Sequence, residues 1–248
     1  MDLMLLGPAG SGKTSLVKSF SDWIRNSEKK NVACINFDPG VEYLPYEASF
    51  DIRKFFTLEL IMREERVGPN GALLRAIEKI FEMEDEIKRE IEKIKADFRL
   101  IDLPGQLEPF IFHSGDRIVR FFDENRTIAI FLIPVEMLDP KGIAIAELLS
   151  VIVRIKLGIP TLNVISKIDL VKNVDEIEEL LKYPRKLRRK LKQAEGGTEK
   201  DLSIVATKLI EKVIREQRIL KTSARTGEGM KDLYDICYEI FCTCGDLR

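Results

Sequence analysis

Residues Gly7-Pro8-Ala9-Gly10-Ser11-Gly12-Lys13-Thr14 fill every fixed position of the pattern G-x-x-x-x-G-K-[ST]. In that spacing the glycines let backbone N–H groups curl around a chain of phosphates, the Lys13 ammonium reaches the β and γ phosphates, and the Thr14 hydroxyl can bind Mg²⁺. Gly7, Pro8, Ala9, Gly10, Ser11, Gly12, Lys13, Thr14 and the adjoining Ser15 are therefore candidate nucleotide-binding residues. The chemistry they offer is capture of a nucleoside triphosphate.

Four further segments could complete such a site. Asp102-Leu103-Pro104-Gly105 has the D-x-x-G form, in which the carboxylate reaches Mg²⁺ through water and the Gly105 N–H approaches the γ phosphate. Gln106 follows at once, and is either a residue that orients the attacking water or an exposed loop residue. Asp38, in Asn36-Phe37-Asp38-Pro39-Gly40, is a candidate to polarise water or hold Mg²⁺, or else a turn residue ahead of Pro39. The metal set is thus Thr14, Asp102 and Asp38. Ser166-Lys167-Ile168-Asp169 lies close to the N-K-x-D guanine box, with Ser166 in the usual place of Asn. A carboxylate at Asp169 accepts from guanine N1–H and N2–H₂, a pair that adenine lacks, and the Lys167 stem packs on the base. Thr222-Ser223-Ala224 has the form that presents a backbone N–H to guanine O6. Asp51-Ile52-Arg53 reads as part of a switch segment without a definite role for either charge.

These motifs need a frame that holds them at one edge. Short apolar runs at Met1–Leu6, Val32–Phe37, Phe98–Leu103, Ile128–Pro134, Thr161–Ser166 and Arg218–Thr222 alternate with helical patterns, beginning with Leu16, Phe20, Trp23 and Ile24 directly after the phosphate loop. This is the rhythm of an α/β, doubly wound, mainly parallel sheet flanked by helices, whose ligands bind at the carboxyl ends of the strands. A helix after the first strand also aims its N-terminal N–H groups at the phosphates. The rhythm breaks between the second and third runs, where residues 53–96 read as a helical insertion: a helix over Phe55–Arg66, a turn at Val67-Gly68-Pro69-Asn70-Gly71, and a long helix over Ala72–Lys95 with one apolar stripe. That stripe either folds back on its own domain or meets a partner. A second helical region, Val174–Glu216, carries the basic run Arg185–Lys190, a solvated face rather than a nucleic-acid or acidic-partner patch.

The 248 residues suit one domain, and 40 Lys and Arg against 41 Asp and Glu leave no global field to recruit nucleic acid or membrane. No stretch approaches the roughly 18 apolar residues of a membrane span, and no signal peptide precedes the first strand, so the expected location is the cytoplasm. The four cysteines read as reduced structural thiols.

Taken in order, the motifs make the chain resemble a P-loop GTPase. Gly68-Pro69-Asn70, Asp38-Pro39 and Asp102-Leu103-Pro104-Gly105-Gln106-Leu107-Glu108 narrow the resemblance to the GPN-loop GTPases, related to the signal-recognition and MinD-like class, and the short C-terminus resembles an archaeal-type member. The resemblance implies a homodimeric, Mg²⁺-dependent enzyme that hydrolyses GTP to GDP and phosphate, dimerising through the side that carries the Gly-Pro-Asn loop. It also implies that Asn70 reaches the partner's phosphates, in place of the early loop lysine of MinD-like proteins, where this chain has Pro8. Asp102, Gln106, Asp38 and Asn70 are then the catalytic set. Eukaryotic members act in RNA polymerase assembly and nuclear import, which implies a protein client. Two alternatives remain: a P-loop kinase of nucleosides or polynucleotides, with Arg185–Lys190 as its lid, and a nucleotide-gated scaffold with negligible turnover.

Overall fold

Every residue of Asp2–Leu6 is buried, Leu3 and Leu5 in one apolar cluster and Met4 and Leu6 in another. Alternate side chains of a strand point to opposite faces, so a strand that is apolar over residues 3–6 is covered on both sides. The computed structural model describes residues 1–113, 115–171, 174–193, 197–213 and 219–245. Through them run β1 (Asp2–Leu6), α1 (Lys13–Trp23), β2 (Val32–Asn36), β3 (Phe50–Asp51), α2 (Leu58–Glu65), α3 (Pro69–Glu82), α4 (Glu84–Glu92), β4 (Phe98–Asp102), α5 (Leu107–His113) and α6 (Gly115–Val119). There follow β5 (Thr127–Pro134), α7 (Pro140–Leu157), β6 (Thr161–Ser166), α8 (Val174–Lys182), α9 (Pro184–Gln193), α10 (Thr198–Val213), β7 (Ile219–Thr222) and α11 (Met230–Gly245).

The strands form one parallel sheet in the order β3-β2-β4-β1-β5-β6-β7. Leu16, Val17 and Phe20 of α1 and Met230, Leu233 and Cys237 of α11 cover one face. Ile61, Ala76, Ile91, Ile111, Ile143 and Leu187, from α2 to α9, cover the other. The fold is the doubly wound P-loop α/β class that the alternating runs predict. The register sets Asp51, Asn36, Asp102 and Leu5 side by side, and Pro134, Ser166 and Thr222 likewise, so the loops carrying the motifs leave one sheet edge together.

Several local expectations are corrected. The two-residue strand β3 was not legible, being too short to show a period. The helix expected over Phe55–Arg66 begins at Leu58, because the Thr57 hydroxyl caps it by accepting from Leu60 N–H at 3.2 Å. The expected turn at 67–71 is instead the start of α3, with Gly68 at the N-cap and Pro69 at the first helical position, where its missing N–H costs nothing. The single helix expected over Ala72–Lys95 breaks at Met83, and Glu84, Asp85 and Glu86 then favour a new N-terminus by charge. Most of its stripe folds back on its own domain: Ile80, Ile87 and Ile91 belong to the main core, Phe81, Met83 and Ile94 pack against it, and Leu73 and Ile77 are buried, whereas Leu74 stays exposed. The second helical region is three helices, and its basic run faces acids of its own bundle: Arg185 and Arg188 pair with Glu211, Lys186 with Glu179 and Lys190 with Glu176. Arg218 and Glu216, expected to open the last strand and end that region, lie outside the described residues. Cys34, Cys237 and Cys242 are free thiols.

One ion pair ties the first strand to its neighbour. Asp2 is buried, and Arg99 grips both its carboxylate oxygens at 2.6 Å. Arg99→Ala strands a buried charge and should lower unfolding stability by about 3 kcal/mol, read from denaturant melts; a loss under about 1 kcal/mol would show that the pair is solvent-screened.

Candidate functional site

The loop from β1 to α1 is wound tightly enough to demand its first glycine. Gly7 has φ +149°, and a Cβ there would lie 2.7 Å from Leu132 O and 2.8 Å from Ser11 Oγ. Gly12 caps α1 at φ 90°, leaving the helix's first N–H groups directed into the loop. Lys13 is buried, its ammonium donating to the carbonyls of Gly7 at 3.0 Å and Pro8 at 3.2 Å. Burial holds its pKa below the ordinary lysine value against the opposing fields of Asp102 and Asp38. A cation held so dry gains more from an arriving phosphate than an exposed one would.

Asp102 ends β4 and is buried beside this loop. Burial pushes its carboxyl up to about 6, while the hydroxyls of Thr14 and Tyr46 and the Lys13 ammonium pull the other way. Tyr46 donates to Oδ2 at 3.0 Å, whereas Oδ1 is buried without a hydrogen bond among the described residues. An orphaned carboxylate oxygen next to a hydroxyl and a lysine fits Mg²⁺, a hard cation that takes one or two protein oxygens and fills its shell with water and phosphate. Asp38 stands in the same field, but its Oδ1 accepts from Gly40 N–H at 2.8 Å, the turn geometry that the sequence left open.

The two segments that the sequence marks as candidate base readers meet although they lie far apart in the chain. Ser223 Oγ donates to Asp169 Oδ1 at 2.6 Å across 54 residues. Ser166 Oγ donates to Ser11 O at 2.7 Å, tying the guanine-box segment to the phosphate loop. Lys167 takes the left-handed conformation, its stem about 4 Å from where a Gly12 Cβ would sit and its ammonium 2.7 Å from Glu136. Ser11, Gly12, Ser15, Ser166, Lys167, Asp169 and Ala224 line one cavity of about 520 Å³. On the other side of the loop, a groove of about 960 Å³ is lined by Pro8, Ala9, Gly105, Gln106 and Asn70. Gly105 is close enough that its Cβ would lie 3.5 Å from Ala9 Cα. Gln106 and Asn70 are exposed. None of the Arg185–Lys190 side chains borders either space.

Comparison with known proteins bears on this arrangement. The chain is 34% identical over its whole length to a GPN-loop GTPase of Pyrococcus abyssi, and the match spans all of that protein. The chain belongs to the GPN-loop GTPases. The crystal structure of the Pyrococcus GTPase in its apo form superposes with a TM-score of 0.85 at 32% identity, covering 98% of each chain. GPN-loop GTPase 2 of Saccharomyces cerevisiae is 32% identical over 73% of this chain, a match that spans 54% of the yeast protein. A family described as a conserved hypothetical ATP binding protein matches residues 5–243. In this GPN-loop GTPase, Gly68-Pro69-Asn70 is the N-terminus of α3.

Three features escaped sequence reasoning. Tyr46 lies in a proline-containing loop with no period, and nothing in the one-dimensional pattern connects it with Asp102. Asn36 bridges the strand ends, donating to Asp51 Oδ1 at 2.9 Å and to Asp38 O at 3.1 Å. Arg53, left without a role, binds Asp51 through Nη2 at 2.6 Å and holds the carbonyls of Val41 and Glu42.

Proposed function

We propose that this GPN-loop GTPase hydrolyses GTP to GDP and phosphate as a Mg²⁺-dependent homodimer in the cytoplasm, gating the assembly of a protein client. The observation that carries the base assignment is the Asp169–Ser223 hydrogen bond at the rim of a cavity that also contains Gly12 and Ser15. Two base-reading segments joined beside a phosphate loop support guanine recognition, and Lys13 supports phosphate binding. Thr14 and Asp102, with Asp38 in the outer shell, would hold Mg²⁺, which supplies charge neutralisation at the β and γ phosphates. Gln106 borders the groove where an attacking water would enter. Positioning and charge stabilisation suffice for phosphoryl transfer without a covalent intermediate.

Phosphate release from GTP and from ATP, each with and without a hydroxyl acceptor, tests this reading. Release from GTP alone is expected. Acceptor-dependent transfer would make the chain a kinase, absence of turnover would make it a scaffold, and equal use of ATP would remove the guanine assignment.

The dimeric part of the reading rests on the family and on the exposed position of Asn70 beside Leu74 and Phe112, which are 37% and 55% exposed. In an isologous interface each copy offers the same rim, so Asn70 of each would serve the other's phosphates. Asn70→Ala and Lys13→Ala homodimers should each be slow. Mixed dimers should recover part of the wild-type rate, because one site then has its own Lys13 and its partner's Asn70. Verified heterodimers that stay inactive would place Asn70 in its own subunit's site or outside catalysis.

A further inference from the structure

The segment joining β2 to β3 touches the site at two adjacent residues. Pro45 lines the nucleotide cavity, and Tyr46 turns inward with 8% of its surface exposed. Its phenol crosses 56 residues of chain to donate to Asp102 Oδ2. The ends of the segment are anchored elsewhere: Asp38 to Asn36 and Gly40, the carbonyls of Val41 and Glu42 to Arg53, and Ser49 N–H to Cys34 O. Between those anchors Tyr43 is 77% exposed, while Leu44 and Ala48 pack with Tyr46 against the apolar cluster under α1 and α11, so the phenol–carboxylate bond acts together with that packing to hold the chain there.

Asp102 Oδ1 is buried without a hydrogen bond among the described residues, and the buried phenol that donates to Oδ2 fixes which way the carboxylate faces. The bond acts in both directions, because a buried O–H left without its acceptor also costs free energy. We propose that Tyr46 is a positioning residue that orients Asp102 for the metal, and that the same hydrogen bond makes the order of residues 43–48 depend on Asp102. This rests on the reading of Asp102 as a Mg²⁺ carboxylate. It assigns the β2–β3 segment a role in sensing the metal end of the site.

The test is Tyr46→Phe in the full chain, which keeps the ring and removes the donor. Calorimetry gives GDP affinity with and without Mg²⁺, and amide hydrogen exchange follows residues 43–48 in nucleotide-free protein. The expected result is unchanged GDP affinity without Mg²⁺, a gain on adding Mg²⁺ that shrinks about three- to tenfold, and exchange at 43–48 faster by a similar factor. A folded variant in which either the Mg²⁺ gain or the exchange stays at wild type overturns the inference, as does an equal loss of affinity with and without Mg²⁺. If Tyr46→Phe does not fold, Asp102→Ala reads the bond from the acceptor side, and unchanged exchange at 43–48 in that variant is equally decisive. Asp102→Ala also separates the two readings. Full retention of the Mg²⁺ gain there overturns the metal assignment itself, whereas its loss there together with a silent Tyr46→Phe overturns the tether alone.

Discussion

Lys13→Ala should weaken GTP binding by about 3–5 kcal/mol, roughly a hundredfold to several thousandfold, because truncating one member of a buried charge pair leaves the other unpaired. The ammonium is already desolvated, resting on the Gly7 and Pro8 carbonyls. A triphosphate entering this loop therefore meets a cation with little water left to shed. Folding stability should move differently. The folded-state pKa of Lys13 lies below its ordinary value, chiefly through burial, so at neutral pH the protonated amine opposes folding. Its removal should leave the nucleotide-free protein at least as stable as the wild type. Calorimetric titration with GTP and thermal melts of nucleotide-free protein check both halves. Wild-type GTP affinity would overturn the phosphate assignment, and a lowered melting temperature would mean that the two carbonyl contacts hold the loop together.

Asp169→Asn should exchange guanine for xanthine preference, with GTP affinity falling and XTP affinity rising by about a hundredfold each. In the proposed reading the carboxylate would accept from guanine N1–H and N2–H₂, and each charge-assisted hydrogen bond contributes about 1.5–3 kcal/mol. An amide at this position turns one acceptor into a donor, which suits the oxygen that xanthine carries at position 2. The substitution is mild for the protein, since Asp169 is exposed and Asn Oδ1 can still accept from Ser223. Competition of GTP, XTP and ATP for the variant measures the exchange. Retained GTP preference would remove Asp169 from base recognition, and a gain of ATP would show that Ser166, tied to Ser11 O, leaves the base pocket permissive.

The legible parts of this protein are those in which chemistry is encoded by neighbours in the chain. Gly7–Thr14 is legible because a loop that winds around phosphates needs its glycines, its lysine and its hydroxyl at short fixed offsets. The parallel sheet is legible because β1 and β5 are buried throughout, and a strand covered on both faces is apolar over most of its length, here residues 3–6 and 128–134. Helix boundaries in the insertion were less legible, since Gly68-Pro69 suits a turn and a helix start equally well, and only packing of Ala72, Ala76 and Ile80 on the core selects the helix. The bonds Tyr46–Asp102, Ser223–Asp169 and Ser166–Ser11 were decided by tertiary structure alone. Their partners are 56, 54 and 155 residues apart, and no local periodicity records such a distance. The sequence by itself determined the residue types of a nucleotide site and the sheet edge at which they emerge. Strand register, which brings distant chain ends within hydrogen-bond reach, decided which side chains orient which.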